Sequence, residues 1–280
     1  MIRVELIKLA RRPRSWVTIL LLCLLPAVVA VFVAVTHVAP PPGQGPALLS
    51  AVLSNGSLYP AAALAIVLPI FLPVAVAVVA GDAIAGEASS GMLRYLLARP
   101  VGRTRLLVAK LIALVAFVLV AVIAVALTSY LTGRLLFGDK PVAVGASGIT
   151  TNVIANSLSG TGLTPADVLA RTAGAVAFIA VSMLGVGAIA LFLSTLTDSS
   201  LAAALGALAA LVTSGVLVAL NAAASVSPYL PTRYWLSWLD FFRQPILWRD
   251  IDRGFAIQAV YVVVFLAAAW ANFASKDITS

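Results

Sequence analysis

Charge is the scarcest ingredient of this sequence: 28 of 280 residues are Asp, Glu, Lys or Arg, while 62% are hydrophobic. A soluble domain of this size needs far more polar surface to cover its exterior. Cysteine is nearly absent, with Cys23 alone, so neither a disulfide framework nor a thiolate metal site is available. The single histidine, His37, has no acidic cluster near it in the chain, which argues against a metal centre. No Gly-Lys pair occurs, so the phosphate-binding loop of a nucleotide hydrolase is missing. No apolar run contains paired carboxylates, which weakens a proton-coupled carrier.

What the sequence has in abundance is long apolar runs. A bilayer core takes about 20 residues of helix, and six runs meet that length: 16–36, 59–79, 106–131, 172–193, 201–220 and 255–273. Their continuous Leu/Val/Ala character lacks the alternation of barrel strands. The fold class is an all-α integral membrane protein, one transmembrane domain over residues 1–280 with six transmembrane helices. Pro26, Pro69 and Pro73 are expected to kink the first two spans. "STLTDSS" joins the fourth and fifth as a tight hairpin. The first run is too long for a usual secretory signal and reads as an uncleaved anchor.

The net charge of +8 points to membrane orientation rather than nucleic acid, because the basic residues flank the spans and form no groove-reading pattern. With the N-terminus inside, eleven basic residues lie in cytoplasmic segments and seven outside. Both termini are therefore expected in the cytoplasm. Arginine outnumbers lysine 14 to 4 and Ala and Val abound, which fits a GC-rich bacterial genome and its cytoplasmic (inner) membrane. Residues 1–15 have the pattern of an amphipathic surface helix, with Ile2, Leu6, Leu9 and Trp16 on one side. Residues 134–170 are rich in Gly, Ser and Thr and read as irregular. Residues 228–250 hold seven aromatics, three of them tryptophan, and suit short helices lying on or dipping into the outer leaflet.

One stretch breaks the scarcity of charge. Residues 80–110 carry Asp82, Glu87, Arg94, Arg99, Arg103, Arg105 and Lys110, a quarter of all charged side chains. Seven charges at mid-membrane would cost roughly 20 kcal/mol, so this is the loop between the second and third spans, taken as 81–105. Ser89 or Ser90 can cap a helix start, Met92, Leu93, Leu96 and Leu97 give it an apolar side, and Pro100 ends it. Thr104 can cap the next helix. About two turns are unstable alone, so the segment needs something to pack against, and a soluble partner fits. The alternative is that the charges only enforce topology.

These residues resemble the type-2 ABC (ATP-binding-cassette) permeases. Their loop has the form G-E-x-x-x-G-T-L, then L-x-x-P-x-x-R and a Lys opening the third span. The matching positions are Gly86, Glu87, Gly91, Met92, Leu93, Leu97, Pro100, Arg103 and Lys110, with Met92 where Thr is usual. "FASKDI" resembles the family's exit from the last span. The resemblance implies a coupling helix over Glu87–Arg99 that docks on an ATPase subunit through Glu87, Met92, Leu93, Arg94, Leu96, Leu97, Arg99, Pro100 and Arg103. It implies two ATPase copies holding ATP and Mg, no cofactor on this chain itself, and a second permease chain, identical or paralogous. It also makes 228–250 re-entrant outer helices, with Tyr234, Trp235, Trp238, Phe241 and Phe242 as gate candidates.

The expected function is thus the permease of an exporter for an amphipathic or hydrophobic cargo, since intramembrane polarity is confined to residues such as Thr128, Ser182 and Ser214. Gly174, Gly185, Gly187, Gly206 and Gly215 read as helix-packing sites. A non-transporting membrane scaffold is the alternative. An intramembrane serine protease, through "GASG" and Ser147, rests on four residues in a Gly/Ser-rich loop.

Overall fold

The computed structural model describes residues 1–37, 48, 56–91, 102–138, 155–220 and 225–275. Helix α1 (Ile2–Arg11) leads into α2 (Pro13–Thr36), followed by α3 (Tyr59–Val67), α4 (Phe71–Asp82) and the short α5 (Ala85–Ser89). The long α6 (Arg103–Phe137) and α7 (Pro165–Leu196), then α8 (Ser200–Ala219) and α9 (Trp248–Ser275), complete the bundle. A two-stranded antiparallel hairpin, β1 (Ala155–Asn156) with β2 (Gly162–Leu163), precedes α7.

Five of these helices, α2, α6, α7, α8 and α9, are long and apolar enough to cross a membrane. The segments Gly56–Val67 and Phe71–Asp82 make a sixth span when counted as one, bent by 59°. The predicted second span is thus two helices that meet at this bend, either a broken span or a re-entrant loop. Pro69 lies in the break and has no N–H to offer the Ala65 carbonyl, and Ile70 leaves helical geometry at φ −133°. Pro73 sits in the first turn of α4, where a missing N–H is harmless. By contrast α2 runs on through Pro26, whose carbonyl accepts the Tyr59 phenol.

Helix α7 is central. Of its most apolar 18 residues 67% are buried, against 17% in α9. It packs on α9, α4, α8 and α6, and α6 in turn carries α1, α2 and α3. The outward faces are apolar: Leu135 is 83% exposed, Val35 74%, and Val212 and Val263 66% each. A surface of that kind is satisfied by lipid.

The described parts of the region 134–170, residues 134–138 and 155–170, hold regular structure that their composition does not predict. Helix α6 continues to Phe137, and Thr164 and Asp167 form a capping box at the start of α7, with Pro165 at the first helical position. Two predicted caps differ as well. Ser89 and Ser90 donate back to the Gly86 and Glu87 carbonyls and close α5, helped by Gly91 at φ +71°. Thr104 accepts the Trp270 indole N–H at 3.0 Å, while Gly102 takes the cap position of α6.

Close helix packing passes through glycines. A Cβ on Gly254 would lie 2.5 Å from the Phe178 ring, and one on Gly187 2.7 Å from Leu114, whereas Gly215 faces open space. Gly254→Val should lower the melting temperature in detergent, with a cost of about 1–3 kcal/mol from overpacking. Gly215→Ala should leave it unchanged or slightly raised. Equal melting of the two variants would show that the Gly254 contact is soft.

Candidate functional site

The charges of the 80–110 stretch converge where α1, α5 and α6 meet. Glu87 and Lys110 are each only 3% exposed. Lys110 Nζ lies 2.6 Å from Glu87 Oε2 and 3.7 Å from Glu5 Oε2, and Lys8 donates to Glu87 Oε1. Arg12 donates to Asp82 Oδ2 at 2.8 Å on the flank of the same cluster. Three acids thus face three bases, and the group is formally neutral. Burial pushes the Glu87 carboxyl up, but the Lys110 and Lys8 ammonium groups outweigh it and hold it below the usual carboxylate range. A cavity of about 40 Å³ beside Lys8, Arg12, Glu87 and Lys110 has room for water against these polar groups.

This arrangement turns charged residues of α1 inward beside Leu6 and Leu9, which are half-buried. Glu5, Lys8 and Arg12, at spacings of three and four, form the inward stripe, while Ile2, Val4 and Ile7 are exposed. Leu9 is half-buried against the core, and Trp16 belongs to α2, its indole donating to the Ala10 carbonyl at 2.7 Å. Charges this deep must be paired, and their partners lie here on the bundle.

A second clamp needs no charge. Ser194 of α7, fully buried, accepts hydrogen bonds from Ile84 N (3.1 Å) and Ala85 N (2.9 Å) and donates to the Gly81 carbonyl at 2.7 Å. It thereby satisfies backbone groups left over where α4 ends and α5 begins. Arg103 donates to the Phe273 and Ala274 carbonyls at 3.3 and 2.8 Å, closing the end of α9.

Of the predicted docking residues, Glu87 points into the protein and Arg103 onto α9. Met92, Leu93, Arg94, Leu96, Leu97, Arg99 and Pro100 lie outside the described residues, as does Ser147. Sequence reasoning missed Ser194 and the roles of Glu5, Lys8 and Asp82. The stripe Glu5–Lys8–Arg12 was a usable signal for the last group, whereas nothing marks Ser194 in "FLSTL".

At the opposite end, residues 225–247 fold into the bundle. Trp238 and Phe242 are fully buried, Phe241 and Trp235 nearly so, and Tyr234 is half-buried. Arg171 of α7 donates to the Phe241 and Arg243 carbonyls at 3.0 and 2.9 Å, and Gln258 of α9 to the Pro231 carbonyl at 2.7 Å. A largely apolar groove of about 420 Å³ opens between the break in the second span, α8 and this segment, lined by Leu68, Pro69, Pro73, Leu211, Thr232 and Trp235.

The described residues thus form a multi-pass helical bundle whose bent pair α3–α4 leads into an ion-paired root of the following loop. Residues 1–197 match the sequence pattern of the ABC-2 family transporter proteins, and the chain belongs to that family. It is the membrane-spanning permease of an ABC transporter, a class whose ATPase is a partner and not the permease itself. The matched region runs from α1 through α7 and includes the ion-paired cluster. No curated protein matches the chain.

Replacing Glu87 by Leu leaves two lysines without their shared partner and should destabilise the protein by roughly 3–5 kcal/mol, read as a lowered melting temperature. The pH dependence has a defined sign. A carboxyl held below its usual range contributes stability that is complete at neutral pH and is lost as pH falls through the lowered value. The melting gap between wild type and Glu87→Gln should therefore be constant near neutrality and close below the ordinary carboxylate range. A gap that widens on acidification would contradict the pairing.

Proposed function

We propose that the chain is the permease subunit of an ATP-driven exporter, set in the bacterial cytoplasmic membrane with both termini in the cytoplasm. Two permease chains, identical or paralogous, form the pathway, and two ATPase subunits dock on the 92–101 loops and hold ATP and Mg. The observation that carries this reading is the rigid root of that loop. A segment whose approach is anchored by buried ion pairs and by Ser194 is suited to receive a mechanical load, which a loop serving topology alone does not need. The family membership supports it, since a permease of this class requires an ATPase to act upon it.

The cargo is amphipathic or hydrophobic. The groove at the broken span has apolar walls, with Thr232 and Ser214 hydroxyls 2.7 Å apart as its polar fringe. Non-helical backbone at membrane depth is tolerated where protein buries it or where it lines a cavity. The outer aromatic segment, with Trp235, Trp238, Phe241 and Phe242 seated against α7 and α9, closes the outward side of the path as a plug.

Purification of the tagged chain from its native host in mild detergent tests the reading. A stoichiometric P-loop ATPase should co-elute and hydrolyse ATP, and Arg94→Glu with Arg99→Glu should release it without lowering the melting temperature. A chain that elutes alone at low salt would favour a non-transporting scaffold.

A further inference from the structure

The outer aromatic segment is attached to the bundle at two places that differ in kind. At its start, Gln258 of α9 donates to the Pro231 carbonyl at 2.7 Å, and the Thr232 hydroxyl lies 2.7 Å from that of Ser214 on α8. Gln258 is 2% exposed and Ser214 4%. The Gln258 amide fills space that Gly185 of α7 leaves open, since a Cβ there would collide with its oxygen. Polar groups this deep have little water to replace a lost partner, so this attachment is costly to break.

The far end is held differently. The 3-10 helix Ser237–Phe242 stops at Arg243, which is extended, and its last carbonyls have no following turn to bond them. Helix α7 and the β1–β2 hairpin supply the donors. Arg171 donates to the Phe241 and Arg243 carbonyls at 3.0 and 2.9 Å, and Leu158 N, in the hairpin turn, donates to the Phe242 carbonyl between them at 2.8 Å. Gln244 completes the clasp. Its N–H donates to Ser159 Oγ at 3.1 Å, while its Oε1 accepts from Arg171 Nη2 at 3.3 Å and from Thr161 Oγ1 at 3.2 Å.

Residues 241–244 are thus gripped in succession, and Arg243, Gln244, Ser159 and Thr161 are all exposed. Hydrogen bonds in such a place exchange with water at small net loss. The hairpin stands on α7 through the fully buried Leu163 and the capping box that opens the helix. Beneath the clasp the Phe241 ring rests in a notch at Gly174, where a Cβ would lie 3.1 Å from it, and meets Trp248 edge-on. Residues 243–247 are non-helical and give the segment slack before α9 begins.

We infer that Arg171 is the positioning residue of the outer closure: with the hairpin it latches residues 241–244, and the segment opens by releasing this latch while it stays hinged at Pro231 and Thr232. This rests on the reading above that the aromatic segment closes the outward side of the path. The hairpin between α6 and α7 thereby gains a part in transport, as the strap over the closed segment.

The test uses the full chain with its native ATPase in nanodiscs. Backbone hydrogen exchange is followed by mass spectrometry with ADP and again after trapping with ATP, Mg and vanadate. In the wild type, trapping should raise exchange over 237–244 and leave 229–232 protected. Arg171→Gln should raise exchange over 237–244 already with ADP, and Arg171→Lys should restore part of the protection. A second variant keeps Arg171. In a Cys23→Ser background, Ser159→Cys and Gln244→Cys are joined by a short, reducible thiol cross-linker. The bridged complex should lose the trapping response at 237–244 and most of its ATP turnover, and reduction should return both. A merely structural staple would leave turnover equal in the bridged and reduced forms, and that result overturns the inference. So does a response that survives the bridge or one that spreads to 229–232. With no response anywhere over 225–247 in the wild-type complex, the plug reading fails and takes the inference with it. If no ATPase assembles with the wild-type chain, the transport reading itself fails.

Discussion

A buried carboxylate between two ammonium groups tolerates little rearrangement, because each partner lost leaves a charge unpaired where solvation is poor. Glu87 imposes that condition on three helices at once. Its burial requires α1 to turn a charged stripe inward and α6 to carry Lys110, two turns into the helix, on its buried side. It also requires the chain after the second span to make a short, gripped turn before leaving the bundle. The neutral sum of the cluster matters as much as the individual pairs, since Glu5 balances the second lysine and Asp82 balances Arg12. Six of the chain's 28 charged side chains belong to this cluster.

Two kinds of anchoring divide the ends of the bundle between them. At the end holding the N-terminus, ionic pairs and Ser194 fix a turn that is too short to fix itself. At the other end, arginine and glutamine side chains reach backbone carbonyls of the aromatic segment and hold it inside the bundle. Between them runs α7, which touches both regions and is the most enclosed of the membrane-crossing helices. A single helix is therefore in contact with both anchored ends.

The membrane-crossing helices were legible because they follow from composition: about 20 apolar residues in a row admit few other solutions. What was not legible depended on partners distant in the chain. The facing of α1 is decided by Glu87, 79 residues away from Lys8, and no local periodicity encodes that. Pro26 and Pro69 look alike in sequence, yet one is absorbed within a continuous helix and the other marks a break. The aromatic segment was expected to form short helices because Trp and Tyr favour interfaces, and it holds two short helices, but its hydrogen bonds to Arg171 and Gln258 depend on partners distant in the chain. The capping box at Thr164 was legible in "TPAD" and was masked by the surrounding Gly and Ser.

The unequal lengths of the helices carry a consequence for the host bilayer. At 1.5 Å per residue, the 20 residues of α8 measure about 30 Å, while the 35 of α6 and 32 of α7 reach about 52 and 48 Å. Helix α8 has nothing to spare against a hydrocarbon core of about 30 Å, so it sets the thickness the protein accepts. A thicker membrane would draw its ends inward, or force lipid to thin around it, while α6 and α7 adjust by tilting. Since α8 borders both the broken span and the groove, bilayer thickness acts directly on the walls of that groove.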